Sequence, residues 1–281
     1  MNENGAASLA TAGEELDAPY DVEYHDTIAS TNDRARELAA SGASDVVVLA
    51  SEQTRGRGRR DRGWTGPSGG IYASILLSPD RPTADAPIVT LAAAVATVRA
   101  CEAVGVDAAI KWPNDVIVEA EAPGDGADRD RGGRKVAGIL TETQSEGDRL
   151  SWLVVGIGVN ANVEPGELPA GATSLRGERG TDVDRRPVAR ELLEAFAELW
   201  ADPDAILGAW RDRAATIGRR VRVETPDGTI AGRAVDVVHP GALLVETPAG
   251  RRTIHAGECT HLRRVDPGGE QDESDGTRQE D

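Results

Sequence analysis

The feature that most limits how this chain can fold is a change of texture near residue 218. Before it, runs with helical periodicity alternate with strand-like runs. After it come only short β segments, RRVRVET, TIAGRAVDVV, ALLVET, RRTIHA and THLRRV, cut by the turn triplets PDG, HPG and PAG. Such short, evenly punctuated strands predict a small all-β barrel. The chain therefore divides into a mixed unit over 22–217 and a barrel over 218–265, an α+β architecture. In the mixed unit, strands are expected at 22–28, 45–50, 71–78, 108–112, 115–119, 134–145 and 151–160. Ser30-Thr31-Asn32-Asp33 offers caps for a helix that Gly42 would stop, and further helices are expected at 87–105, 186–201 and 203–215. Residues 51–70, rich in Arg and Gly and aperiodic, predict a loop; 120–133 predicts a mobile polar insertion.

Charge is distributed unevenly. Acids outnumber bases 48 to 31 over the 281 residues, giving −17, and this excludes a broadly basic nucleic-acid binder. The ends, 1–21 and 266–281, carry −11 of that charge, lack periodicity and are expected to be disordered acidic tails. No apolar run approaches the roughly 20 residues of a membrane span, and no signal peptide is visible. The two cysteines, Cys101 and Cys259, lack metal-ligand spacing, so a reducing cytoplasm is the expected compartment. Of the 31 basic residues only Lys111 and Lys135 are lysine. The acidic, arginine-dominated composition predicts a salt-adapted surface. It also singles out two positions where a point charge has been kept in place of a planar fork.

Four segments carry chemistry. Residues 55–62 hold five arginines in eight residues, interleaved with Gly56 and Gly58 and followed by Trp64. Glycine lets backbone N–H groups approach an anion, and guanidinium forks grip phosphate or carboxylate oxygens. Without a ligand such a loop would repel itself, so it is expected to be ordered only when occupied; a solvated basic loop is the plainer alternative. Lys111-Trp112-Pro113-Asn114-Asp115 predicts a tight turn between strands, with Trp112 as core filler on the plainer reading. Lys135 opens a strand in which Gly138 suggests close approach by a ligand or another backbone. In Val155–Asn160, strand periodicity puts Gly156, Gly158 and Asn160 on one face and Ile157 and Val159 on the other, a flat floor ending in an amide. No G-x-G-x-x-G leads from it into a helix, so it is not a dinucleotide fingerprint.

Taken in order, Ser30-Thr31-Asn32, GRGRRDRGW (56–64), KWPND (111–115), RKVAGIL (134–140), VGIGVN (155–160) and a terminal β barrel, the set closely resembles the biotin protein ligase family over about residues 22–265. The resemblance implies a catalytic domain of the class II aminoacyl-tRNA synthetase and biotin synthetase type, with a mixed sheet, followed by an SH3-like barrel. It implies two steps: biotin and ATP give biotinyl-5′-AMP and pyrophosphate, then the adenylate acylates one lysine of a biotin carboxyl carrier protein. By motif, Ser30, Thr31, Asn32 and Gln53 border the biotin head. Arg57, Gly58 and Arg59 wrap carboxylate and phosphate, Lys135 reaches the carboxyl oxygen, and Gly138, Gly156 and Gly158 complete the biotin site. Arg57, Arg59, Arg62, Trp64, Lys111, Asn114 and Asn160 are assigned to ATP. The catalytic groups implied are Lys135, Arg57 and Arg59, with Mg²⁺ on the pyrophosphate and no metal ligand assigned.

Joining a carboxylate to an α-phosphate brings two anions together, and the clustered cations supply the neutralisation this needs. Two departures stand out: Asp61 lies where the family loop often has glycine, and 120–133 widens the spacing from KWPND to Lys135. Only about 21 residues precede the first strand, too few for the winged helix of relatives that repress transcription. The rival expectations are a lipoate or octanoate ligase of the same superfamily and a biotin-sensing transcriptional regulator. Neither nucleic acid nor membrane is an expected partner; oligomeric state is left open.

Overall fold

The computed structural model describes residues 9–13, 16–60, 62–119 and 133–262. The expected insertion at 120–133, apart from Gly133, the tail at 266–281, and Asp61 lie outside them.

A mixed sheet organises the first unit. Its strands are β1 (Asp21–Ile28), β2 (Val46–Arg57), β3 (Gly63–Gly66), β4 (Ile71–Leu77), β5 (Ala109–Lys111), β6 (Asp115–Val118), β7 (Arg134–Glu146) and β8 (Arg149–Val159). They run in the order β1-β2-β4-β8-β7-β6-β5, with β3 folded back on the end of β2. β1 and β2 are parallel and the remaining pairs antiparallel. All seven residues of β4 are buried, as a central strand covered on both faces must be.

The sheet's two faces have different tasks. Val47, Leu49, Ala73, Ile75, Val155 and Ile157 point into the main core. There they meet α2 (Pro87–Glu102), which is apolar almost all round and correspondingly buried, together with the amphipathic α4 (Arg185–Ala201) and α5 (Pro203–Asp212). Thr83–Glu102 is 20 residues long with mean hydropathy 1.4, so one helix does reach spanning length and apolarity; 72% of its most apolar window is buried inside this core. On the opposite face α1 (Thr31–Ala40) covers only one end, over Val48, Leu76 and Val154. Ser30 caps α1 by accepting from the Asp33 N–H, and Gly42, at φ +86°, follows its end. The other end of that face stays uncovered, and the cleft described below lies there.

Three expectations are corrected. Residues 51–57 continue β2 and 63–66 form β3, because Gln53 pairs with Gly66 and Arg57 with Gly63, a register that no local pattern discloses. The segment 1–21 is not all tail: Leu9 and Ala12 are buried in the main core, and the Asp17 N–H donates to Glu194 at 3.0 Å. A short helix unforeseen in the sequence, α3 (Leu175–Arg179), is capped by Ser174 and ended by Gly180 at φ +73°.

The second unit is a five-stranded antiparallel sheet: β9 (Arg220–Thr225), β10 (Gly228–Val238), β11 (Ala242–Thr247), β12 (Gly250–Ile254) and β13 (Glu258–His261), in the order β12-β11-β10-β9-β13. Its Val221, Val223, Val237, Leu243 and Val245 join the same apolar cluster as α2 and α4. At the seam, Trp112 is 1% exposed, its indole N–H donates 2.9 Å to the Gly241 carbonyl, and its backbone N–H donates 3.0 Å to Thr216 Oγ1. Trp112 is core filler, as the plainer reading had it, and its neighbours Lys111, Asn114 and Asp115 face the cleft.

Candidate active site

The uncovered end of the sheet and the rim of the second unit enclose a cleft of about 820 Å³. Its lining contains all the residues assigned from the sequence: Ser30, Thr31, Asn32, Gln53, Arg57, Gly58, Arg59, Arg62, Trp64, Lys111, Asn114, Lys135, Gly138, Gly156, Gly158 and Asn160.

The start of α1 forms one wall as a closed polar network. Gln53 Oε1 accepts from the Thr31 N–H (2.8 Å) and from Thr31 Oγ1 (3.0 Å). Ser74 Oγ, fully buried on β4, lies 2.7 Å from both Thr31 Oγ1 and Asn32 Oδ1. Asn32 Nδ2 donates 2.7 Å to Glu142 Oε2. The glycine floor turns out to have specific tenants. A Cβ on Gly156 would stand 2.1 Å from Asn32 Oδ1, so that glycine admits the amide. A Cβ on Gly158 would stand 2.7 Å from the Trp64 ring, and one on Gly138 2.8 Å from it and 2.9 Å from Lys135 Nζ. Trp64 therefore lies on the floor, its indole N–H buried without a partner among the described residues.

Four of the five loop arginines, Arg57, Arg59, Arg60 and Arg62, have oxygen partners within the protein, so their mutual repulsion is offset by the protein's own acceptors. Arg57 Nη1 reaches Glu142 Oε1 (2.9 Å) and Asp33 Oδ1 (3.3 Å). Arg59 donates to Asn114 Oδ1 (2.8 Å) and the Gly257 carbonyl (3.2 Å). Arg60 and Arg62 share the Glu258 carboxylate at 3.2 and 3.1 Å. Lys135 Nζ pairs with Asp115 Oδ1 at 2.5 Å and stands 5.2 Å from the centroid of Trp64, within cation–π range. Burial lowers the pKa of the Arg59 guanidinium, with Asp115 opposing and Arg60 and Arg62 reinforcing. Burial likewise lowers that of Lys111, again against Asp115. These two cations sit where desolvation strengthens their pull on an incoming anion.

Two assigned residues are less free than the sequence suggested. Asn160 is 3% exposed and spends its Nδ2 on the Thr173 carbonyl at 3.0 Å. Arg62 is held at the rim, its side chain 63% exposed. Sequence reasoning missed Ser74, Glu142 and Glu258. Glu142 shares a strand face with Gly138, and period-two counting could have found it. Ser74 is the one polar residue of β4 turned toward the cleft wall. Nothing local points to Glu258.

This constellation, cations gathered above a glycine floor beside a capped helix start, defines a class of acid-activating ligases. Residues 24–160 match the Biotin/lipoate A/B protein ligase family, and 216–262 match the biotin protein ligase C-terminal domain. The chain is 37% identical over 249 residues to the bifunctional ligase/repressor BirA of Bacillus subtilis, covering 84% of this chain and 72% of that one. It is 36% identical to the biotin--[acetyl-CoA-carboxylase] ligase of Paracoccus denitrificans, covering 82% and 95%. The structure of the Aquifex aeolicus biotin protein ligase in complex with biotin and ATP superposes with a TM-score of 0.68 at 27% identity, covering 86% of this chain and 99% of that one. The chain belongs to the biotin protein ligases.

Proposed function

We infer that this protein is an ATP-dependent biotin protein ligase, and that the cleft performs both of its steps. The observation that carries the reading is the convergence of Arg57, Arg59 and Lys135 on one glycine-floored slot whose far wall is the Thr31–Asn32–Gln53 network. An uncharged polar head fits that wall, and a carboxylate reaches the cations. In the first step a biotin carboxylate oxygen attacks the α-phosphorus of ATP, and pyrophosphate leaves with the bonding pair. Arg57 and Arg59 offset the charge on the phosphate, and Lys135 exchanges Asp115 for the reacting carboxylate oxygen. In the second step a lysine amine of the carrier attacks the acyl carbon, loses its proton, and AMP departs. The scheme needs no side-chain nucleophile; Cys259, which lines the cleft, is kept as a thiol by burial, its pKa pushed up to about 12.

Among the described residues no group of three or more His, Cys, Asp and Glu side chains could hold a metal ion. A magnesium ion held with the ATP phosphates would screen their charge, and Asp115 is a cleft carboxylate that could help to hold it. Trp64, Lys111, Asn114 and Asn160 supply the remaining contacts to the nucleotide. The acceptor is a biotin carboxyl carrier domain of a carboxylase, and the compartment is the cytoplasm.

The test is direct: purified chain, ATP and a carrier domain, with biotin in one arm and lipoate or octanoate in the other, scored by intact mass. Mass gain on the carrier with biotin alone supports the reading. Gain with lipoate alone moves the chain to the other branch of its family. No gain in either arm overturns it.

A further inference from the structure

A carboxylate hydrogen-bonded to two cleft-lining residues, Asn32 and Arg57, has no part in that scheme. Glu142 stands on β7, on the same face as Gly138, with 18% of its side chain exposed. Its two oxygens serve two different elements: Oε2 takes the Asn32 amide at the start of α1, and Oε1 takes the Arg57 guanidinium at the end of β2. Arg36 approaches the same Oε1 at 3.8 Å. We propose that Glu142 is a positioning residue that orients Asn32 and Arg57 together, coupling the pocket for the biotin head to the site where the anions react; this rests on the roles given to Asn32 and Arg57 above.

The chemistry of each contact supports it. A carboxylate can only accept, so the Asn32 atom facing it must be Nδ2. Oδ1 is then turned to Ser74 Oγ and toward Gly156. A primary amide free to rotate would offer a ligand either a donor or an acceptor; Glu142 removes that choice. On the other side, both acids that hold Arg57, Glu142 and Asp33, are met by Nη1. Among the described residues no acceptor holds its Nη2 or Nε, so their N–H groups can meet an arriving oxygen anion with the guanidinium already anchored through Nη1. Pre-aimed donors of this kind cost no reorganisation when charge develops.

Two substitutions separate the arms. Glu142→Gln keeps an acceptor for Asn32 and loses the charge that holds Arg57. Glu142→Ala loses both. Adenylate formation by the full chain is followed as pyrophosphate release from ATP and biotin, without carrier. The expected result for Glu142→Gln is a biotin KM within about threefold of the parent and a kcat lower by about tenfold. Glu142→Ala should show the same fall in kcat and, in addition, a biotin KM raised about tenfold, as expected for a lost charge-assisted hydrogen bond. A parental kcat in Glu142→Gln, or an equal rise of biotin KM in both variants, overturns the coupling. If Glu142→Ala fails to fold, the kcat of Glu142→Gln decides alone. Asn32→Ala and Arg57→Ala run alongside. If they leave biotin KM and kcat unchanged, the site reading itself has failed; if they impair and the Glu142 variants do not, only the coupling has.

Discussion

At the scale of single residues, the chain's two lysines have separate placements. Lys111 lines the cleft half-buried, and Lys135 lines it bound to Asp115 and close to the face of Trp64. In the proposed reaction Asp115, paired with Lys135 at 2.5 Å, gives way to the carboxylate that the ammonium receives. An ammonium can pivot from one oxygen to the other; a planar fork of fixed geometry cannot do so in the same space. Lys135→Ala is therefore expected to fold normally and to lower adenylate formation by about a hundredfold or more, the scale of one preorganised charge donor. Lys135→Arg should recover only part of that loss. Pyrophosphate release measures both, and a near-parental rate in Lys135→Ala would remove this residue from the reaction.

At the scale of elements, β8 shows how far alternation can be read. Period two placed Gly156 and Gly158 on one face and Ile157 and Val159 on the other, and the structure agrees: Ile157 meets the helices, and the glycines face the cleft. Alternation could not say what the glycines make room for. Gly156 admits Asn32, and Gly158 admits Trp64, partners brought there by α1 and by the β2–β3 hairpin. Gly156→Ala should accordingly push Asn32 from its seat and raise the KM for biotin about tenfold, with the KM for ATP little changed. Comparable rises in both would show that the added methyl acts on the whole floor. The same limit explains the other misreadings. The end of β2 carries Arg and Gly where a strand ordinarily alternates, and its pairing with β3 depends on register alone. Leu9 stands among alanines with no apolar period around it, and its burial depends on an apolar cluster that exists only after folding. Glu258 lies on β13, nearly 200 residues from the arginines it holds, a separation no local motif spans.

At the scale of the whole molecule, the change of texture at residue 218 marks a change of architecture but not a break in the core. His261 of β13 is 3% exposed, and its Nε2 lies 3.0 Å from Thr216 Oγ1, the oxygen that also accepts from Trp112. Burial, with Lys111 and Arg219 nearby, lowers its pKa from 6.5 to about 3. The unfolded chain therefore binds a proton that the folded chain refuses between those values, and stability falls as pH drops below about 6.5, by about 1.4 kcal/mol per pH unit. His261→Gln should flatten the fall in Tm between pH 7 and 5; an unchanged slope would place the acid sensitivity elsewhere. The net charge of −17 makes a second prediction. In about 1 M KCl the screening length is near 3 Å, so long-range repulsion of ATP vanishes while partly buried pairs inside the cleft survive. Activity should persist there, and its collapse with the fold intact would defeat the salt-adapted reading.

The shared core also decides how the second unit's contribution can be tested. Removing 218–281 would bare Trp112 and the apolar cluster, and loss of activity would then report only unfolding. The informative contact is the rim. Glu258 holds Arg60 and Arg62 through one carboxylate, and the Gly257 carbonyl takes Arg59, so three loop arginines are fastened to the second unit. Glu258 is 44% exposed, and pairs of that kind stabilise a fold by less than about 1 kcal/mol each, so replacing it should leave the Tm nearly unchanged. On the proposed reading, what it fixes is the position of the loop over the nucleotide. Glu258→Gln is expected to raise the KM for ATP several-fold at low salt while leaving the biotin KM near its parental value. The difference should narrow as KCl is raised and the exposed pair is screened in the parent as well. A KM for ATP that does not move at any salt concentration would mean that the second unit fastens the loop without governing how it meets the nucleotide.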